Sequence, residues 1–212
     1  KFKRVVVAIA CVVTLGGSAY FAQKFLYFSD RQLVFPAVPV VAKLQELGGI
    51  NRVWGYGNAY VENNLLSYYG LYSAEGYSPF FSTRYAQLLH TIRSNGRVTA
   101  EVNRADVDLS PIFEDESIID NPYRVRLFSL LGIRYIIEAK QGPRKELLLT
   151  EKRFPSAYFS LVWVEEKWRI WEFTHALSRV WFTTQDQVVP DGQKTVDMLF
   201  EQKFPYQQTI LV

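Results

Sequence analysis

Val5 to Ala22 runs VVVAIACVVTLGGSAYFA without one charged residue, and this stretch constrains the chain more than any other. About 18 apolar residues is close to the minimum that spans hydrocarbon as a helix. Each charge placed mid-bilayer costs roughly 2.5–3.5 kcal/mol on insertion scales. Lys1, Lys3 and Arg4 precede the run, and Tyr20, Phe21, Tyr27 and Phe28 stand at its far end. Basic flanks stay cytoplasmic and aromatic rings prefer the interface, so the expectation is a cytoplasmic N-terminus and an extracytoplasmic remainder. The segment alone leaves two readings open: the last span of a larger protein, or a signal sequence with small residues at Ala19 or Ala22.

The same three basic residues account for the formal charge of +3, leaving 21 basic against 21 acidic residues in the rest of the chain. A neutral domain offers no electrostatic footprint for nucleic acid, which is excluded as an expected partner. The single cysteine, Cys11, lies inside the apolar run, so no disulfide framework or thiolate metal site is expected. The domain expectation is residues 1–25 as a membrane helix, 26–39 as a connector and 40–212 as an extracytoplasmic α+β domain.

Within that domain, helical periodicity and stop signals predict helices near 40–47, 83–93, 121–131 and 192–202. Asn121-Pro122 and Asp191 are the expected caps. Strands are expected at 52–56, 134–139, 158–165, 168–173, 179–184 and from 209, with a hairpin turn at Glu166-Lys167. Residues 105–120 read as a loop. LQELGGINRVWGY is echoed by FSLLGIRYIIE, a helix–glycine–strand unit that suits a mixed sheet covered by helices. The expected core is Val53, Leu88, Leu89, Leu127, Leu131, Ile136, Val162, Ile170 and Leu199. Arg134, within a β-rich run, is expected to meet a carboxylate or backbone carbonyls.

Catalytic motifs are not found. His90 and His175 lack metal-ligand spacing, no Gly-rich phosphate loop follows a strand, and no GxSxG elbow exists. Asp106, Asp108, Glu114, Asp115, Glu116 and Asp120 could offer oxygen ligands, but their spacing does not match a calcium loop. No cofactor, metal site or catalytic residue is assigned. Trp54 to Tyr85 is richer, with ten aromatic residues in 32. Rings interleaved with amides and charges match the C–H patches and hydroxyls of sugars. The candidate substrate-binding residues are Tyr56, Asn58, Asn63, Asn64, Tyr69, Glu75, Tyr77 and Arg84, expected to line one exposed surface. The plainer alternative is that the rings pack and the amides stabilise turns.

A series of short motifs follows in order: Arg52-Val53 with Gly55, Asn63-Asn64, Tyr69-Gly70-Leu71, Gly76-Tyr77-Ser78-Pro79, Arg84-Tyr85 with Leu88-Leu89, Leu130-Leu131-Gly132-Ile133-Arg134-Tyr135-Ile136-Ile137, then Glu172 and Ala176-Leu177-Ser178-Arg179. This order resembles the C-terminal extracytoplasmic region of YfhO-type bacterial membrane proteins, multi-span glycosyltransferases of the GT-C class. Ser78, Ser178 and Val180 depart from that pattern, which often has Asp, Pro and Ala there. The resemblance implies a final transmembrane helix. It also implies sugar transfer from a polyprenyl-phosphate donor to a cell-envelope acceptor, with the catalytic carboxylate on a loop outside this sequence. The expected partners are the lipid bilayer and a cell-envelope glycan or lipid-linked sugar. The competing expectations are a secreted or membrane-anchored carbohydrate-binding module and a purely structural brace.

Overall fold

The computed structural model describes residues 2–26, 29–61, 64–99, 106–109, 117–139 and 150–212. The chain divides into two units, Lys1–Val38 and Pro39–Val212. In the first, α1 (Phe2–Phe25) is 24 residues long and buries none of them. At 1.5 Å rise it extends roughly 36 Å, against about 30 Å of hydrocarbon. It is the one helix among the described residues that is long and apolar enough to cross a membrane. Phe21 and Phe25 pack with ring centroids 4.8 Å apart near its C-terminus, and the Lys24 ammonium lies 5.7 Å from the Tyr20 ring. A short helix, α2 (Arg31–Val34), follows.

The second unit is α+β. Its helices are α3 (Pro39–Gly48), α4 (Leu65–Tyr68), α5 (Thr83–His90), α6 (Pro122–Leu130), α7 (Thr150–Arg153) and α8 (Gly192–Phe200). Its strands are β1 (Arg52–Tyr56), β2 (Gly76–Tyr77), β3 (Asp106–Val107), β4 (Ile133–Ala139), β5 (Phe159–Glu165), β6 (Trp168–Phe173), β7 (Gln185–Gln187) and β8 (Thr209–Leu211). The main sheet has the order β1-β4-β6-β5, parallel between β1 and β4 and antiparallel elsewhere. Two small ribbons join β2 to β3 and β7 to β8.

The helix–glycine–strand echo is physical. The units α3–β1 and α6–β4 lay their strands side by side in parallel. Gly49 and Gly132 make the two turns at φ +51° and +62°. At Gly132 an added Cβ would also stand 3.1 Å from the Leu177 carbonyl oxygen, so both conformation and space require glycine. The α3–β1 pair helps cap the α6–β4 pair. The Arg52 Nη1 donates to the Leu131 carbonyl at 2.5 Å, at the C-terminal end of α6, where backbone acceptors have no helical partner.

Strand alternation builds two covered faces. Trp54, Ile136 and Trp171 are register neighbours on one face. There Trp54 meets Phe128 of α6 edge-on at 5.0 Å, and Trp171 stacks on Phe154 at 4.6 Å. Gly55, Ile137 and Ile170 form the next row, pointing to the opposite face. α3 packs against β4 and β6 and buries Val40 and Leu44. Gly55 is needed for space: a Cβ there would lie 2.1 Å from the Ala59 carbonyl oxygen.

Val53, Leu89, Leu127, Leu131, Ile136 and Ile170 are buried as expected. Val162 is not, with 37% of its surface exposed, because β5 is the sheet's edge strand and only Phe159 of it is buried. Leu88 and Leu199 are half-buried, for a reason given below. The strand expected at 179–184 does not form. Val180 and Phe182 are exposed, and pairing begins only at Gln185, beside Thr209 of β8. Of the loop expected at 105–120, Asp106–Val107 is instead β3, and Ile118–Asp120 is one helical turn capped by Ser117. The helix from Thr83 stops at His90, short of 93, as the chain turns towards Asn95 and Gly96, both with positive φ. Arg134 meets the expected carboxylate, Glu172, at 3.3 Å.

Candidate functional site

The aromatic stretch divides into an inward and an outward part. Tyr56 follows Trp54 by two residues, so strand alternation turns it to the same core face. It is buried, its ring 5.1 Å from Phe154, which corrects its expected place on an exposed surface. Asn58, Asn64, Tyr77 and Arg84 are exposed, and Tyr69 is half-buried; Asn63 lies outside the described residues. Asn64 adopts φ +72°, a conformation Asn tolerates better than most residues. Its amide clamps the Tyr77 backbone from both sides: Nδ2 donates to the Tyr77 carbonyl at 2.7 Å, and the Tyr77 N–H donates to Oδ1 at 3.1 Å. This pair is a juxtaposition of candidates that hydrogen bonds define among the described residues. The Tyr69 carbonyl accepts from Gln45 at 2.7 Å.

Glu75 turns inward, away from the exposed candidates. Its Oε1 accepts the indole N–H of Trp54 at 3.2 Å and the backbone N–H of Leu109 at 2.8 Å. Burial, opposed by those two bonds, pushes the Glu75 carboxyl up to about 7. Asp108 adds to the rise and Arg93, its ion-pair partner, opposes it. Burial also raises the Tyr85 phenol, keeping it a donor to the Ala74 carbonyl at 2.5 Å.

A larger opening lies elsewhere. An open cavity of about 500 Å³ is walled by Leu88 of α5, Leu130 and Leu131 at the end of α6, Thr195 and Leu199 of α8, Phe204, and Ile210 and Leu211 of β8. Arg179, Val180, Trp181, Thr183, Tyr206 and Thr209 complete it. Leu88 and Leu199 face this space, which is why they are not fully enclosed. The polar groups are fixed from behind. Leu177 N–H donates to the Ser129 carbonyl at 3.1 Å, seating 177–179 over Gly132. The Arg179 guanidinium stacks on Tyr72 at 4.0 Å, and its Nη1 donates to the Ile50 carbonyl at 3.2 Å. Arg126 lies 4.4 Å over the Tyr206 ring. An apolar pocket of this size with one cation and a few hydroxyls suits an amphiphile better than a free sugar.

Sequence reasoning missed this cavity. Its signal was present as apolar helix positions exceeding what one core can enclose, together with Arg179 beside Val180, Trp181 and Phe182. Those consecutive apolar residues read as a strand.

Among the described residues no group of three His, Cys, Asp or Glu could hold a metal ion. His90 Nδ1 lies 3.2 Å from the Thr99 hydroxyl, and the His175 ring packs 4.9 Å from Tyr158. Comparison with protein-family models, with curated proteins and with solved structures finds no match to this chain.

Proposed function

We propose that this chain is the extracytoplasmic domain of a bacterial integral-membrane glycosyltransferase that uses a polyprenyl-phosphate sugar donor. In this reading the domain holds substrate for cell-envelope glycosylation and contributes no catalytic residue. The observation that carries the reading is the coexistence, in one chain, of a membrane-length apolar helix and an open apolar cavity edged by Arg179. A prenyl chain matches the leucine walls, and a guanidinium suits a phosphate. The ordered motifs from Arg52 to Arg179 supply the glycosyltransferase context. The basic residues before the apolar run support an extracytoplasmic position for 26–212. Asn58, Asn64, Tyr69, Tyr77 and Arg84 remain the polar surface for a glycan acceptor.

The test is photolabelling of the full chain in proteoliposomes with a photoactivatable polyprenyl phosphate. Labelled peptides from 179–183 and 204–211, lost on competition with unlabelled polyprenyl phosphate and in Leu199→Trp, support the proposal. Labelling confined to α1, or unchanged by Leu199→Trp, rejects it. A second reading, a membrane-anchored non-catalytic carbohydrate-binding or structural module, is favoured by Asn64, whose amide is engaged with the Tyr77 backbone. Hydrophobic spans encoded upstream of Lys1 favour the first reading; a start codon immediately before Lys1 favours the second.

A further inference from the structure

We propose that Glu75 is a proton-operated latch that holds segment 106–109 against the β1 side of the core. The geometry is specific. One carboxyl oxygen joins two elements distant in sequence, taking the Trp54 indole N–H of β1 and the Leu109 backbone N–H. The residue after Glu75 enters the ribbon with the same segment, Gly76 pairing with Val107 and Tyr77 with Asp106. Val107 and Leu109 are both buried in the main core cluster. The Glu75 bond is one of the segment's ties, made at its most enclosed residue, Leu109.

The surroundings leave the carboxyl sensitive to its proton. From the segment, Asp108 faces it, and Asp108 is itself paired with Arg93. From α5, Tyr85 faces it with Arg52 of β1 beyond. From its own turn, the Ser73 hydroxyl accepts the Glu75 N–H at 3.0 Å. No cation is bonded to the Glu75 carboxyl among the hydrogen bonds and ion pairs described, and the indole and amide donors offset the effect of burial only in part.

The direction follows from linkage. The carboxyl titrates near 4.5 when released and at about 7 when held, so the held form binds the proton more tightly. The latch is tightest in acid, weakens as pH rises from about 4.5 to about 7, and levels off above that. The exposed Asn64–Tyr77 pair hangs from the same ribbon, so acid firms that surface too. The inference stands whether or not the cavity binds a lipid.

Hydrogen exchange on the full chain in detergent or nanodiscs tests it, read on peptides covering 106–109 and corrected for intrinsic pH dependence. In the wild type, opening of this segment rises about ten-fold per pH unit across that window as an upper limit. Glu75→Gln keeps an acceptor but cannot ionise, so its opening stays at the wild-type acid level at every pH. Glu75→Ala opens at every pH. A flat wild-type profile, or a Glu75→Gln profile with the wild-type slope, overturns the proposal. The wild-type profile decides the matter alone if a variant fails to fold.

Discussion

Glu75 and Glu138 each accept an indole N–H, from Trp54 at 3.2 Å and from Trp171 at 2.9 Å. Beyond that bond they are held differently. Glu138 sits near the end of the central strand β4, and two guanidiniums close on it: Arg153 at 2.6 Å and Arg169 at 3.4 Å. Glu75 lies on a connecting segment and adds only a backbone amide. A buried carboxylate is tolerated when cations and donors replace its lost hydration. Where only neutral donors replace it, the group holds its proton to higher pH. The central sheet thus surrounds its carboxylate with guanidiniums, while the flank keeps a carboxyl that burial pushes up to about 7.

The largest effect should come from breaking the locked site. Glu138→Ala removes the carboxylate bonded to Arg153, itself buried. The expected cost is about 3–5 kcal/mol, read as a lower denaturation midpoint of the full chain. A loss under about 1 kcal/mol would mean that water reaches this network and that the two carboxylates differ little.

The tryptophans give the next contrast. Trp171→Phe removes a donor to the carboxyl that Arg153 and Arg169 pair with and should cost about 1.5–3 kcal/mol in chemical unfolding. Trp54→Phe removes a bond that holds the Glu75 titration down, so it should move that titration upward. NMR of the Glu75 side-chain carbon reads the shift directly. Equal losses of stability from the two changes would erase the distinction.

Much of this frame was legible from local chemistry. Asn121 caps α6 by accepting the Arg124 N–H at 3.1 Å, and Asp191 caps α8 through the Lys194 N–H at 2.8 Å. Both are short-range signals that need no knowledge of the partner element. The glycine-ended units α3–β1 and α6–β4 were equally plain, although their parallel pairing was not. Errors arose where the partner decides the outcome. Val162 alternates like a core residue but lies on an edge strand. Val180 to Phe182 have strand-like side chains but no neighbouring strand. In the candidate site, Tyr56 and Glu75 face inward because β1 and the 106–109 segment claim them, and no composition signal marks that. The cavity depends on α5, α6, α8 and β8 converging from distant parts of the chain, which single-segment periodicity cannot convey.

Neutralising the flank should stabilise it, the reverse of the central site. The held Glu75 titrates above its free value of 4.5, at about 7, so its contribution is fully present below about 4.5 and is lost as pH rises to about 7. Glu75→Gln escapes that loss. After discounting for partial exposure, it should gain about 1–2 kcal/mol over wild type at pH 8 and almost nothing at pH 4. Unfolding curves at the two pH values check this; a gain of the same size at both would assign it to packing and not to charge.

The smallest effect concerns a third carboxylate, which has a cation but lacks burial. Arg134 and Glu172 approach to 3.3 Å with side chains 31% and 29% exposed. Water competes for both groups, so their attraction is screened and partly offset by side-chain ordering. A double-mutant cycle with Arg134→Ala and Glu172→Ala should give a coupling of about 0.2–1 kcal/mol, falling as salt rises. This isolates burial from pairing. If the coupling approaches the several kcal/mol expected at Glu138, possession of a cation alone sets how firmly a carboxylate is held here, and burial contributes little. If it stays small, the strength of the central site comes from enclosing Glu138 and Arg153 together.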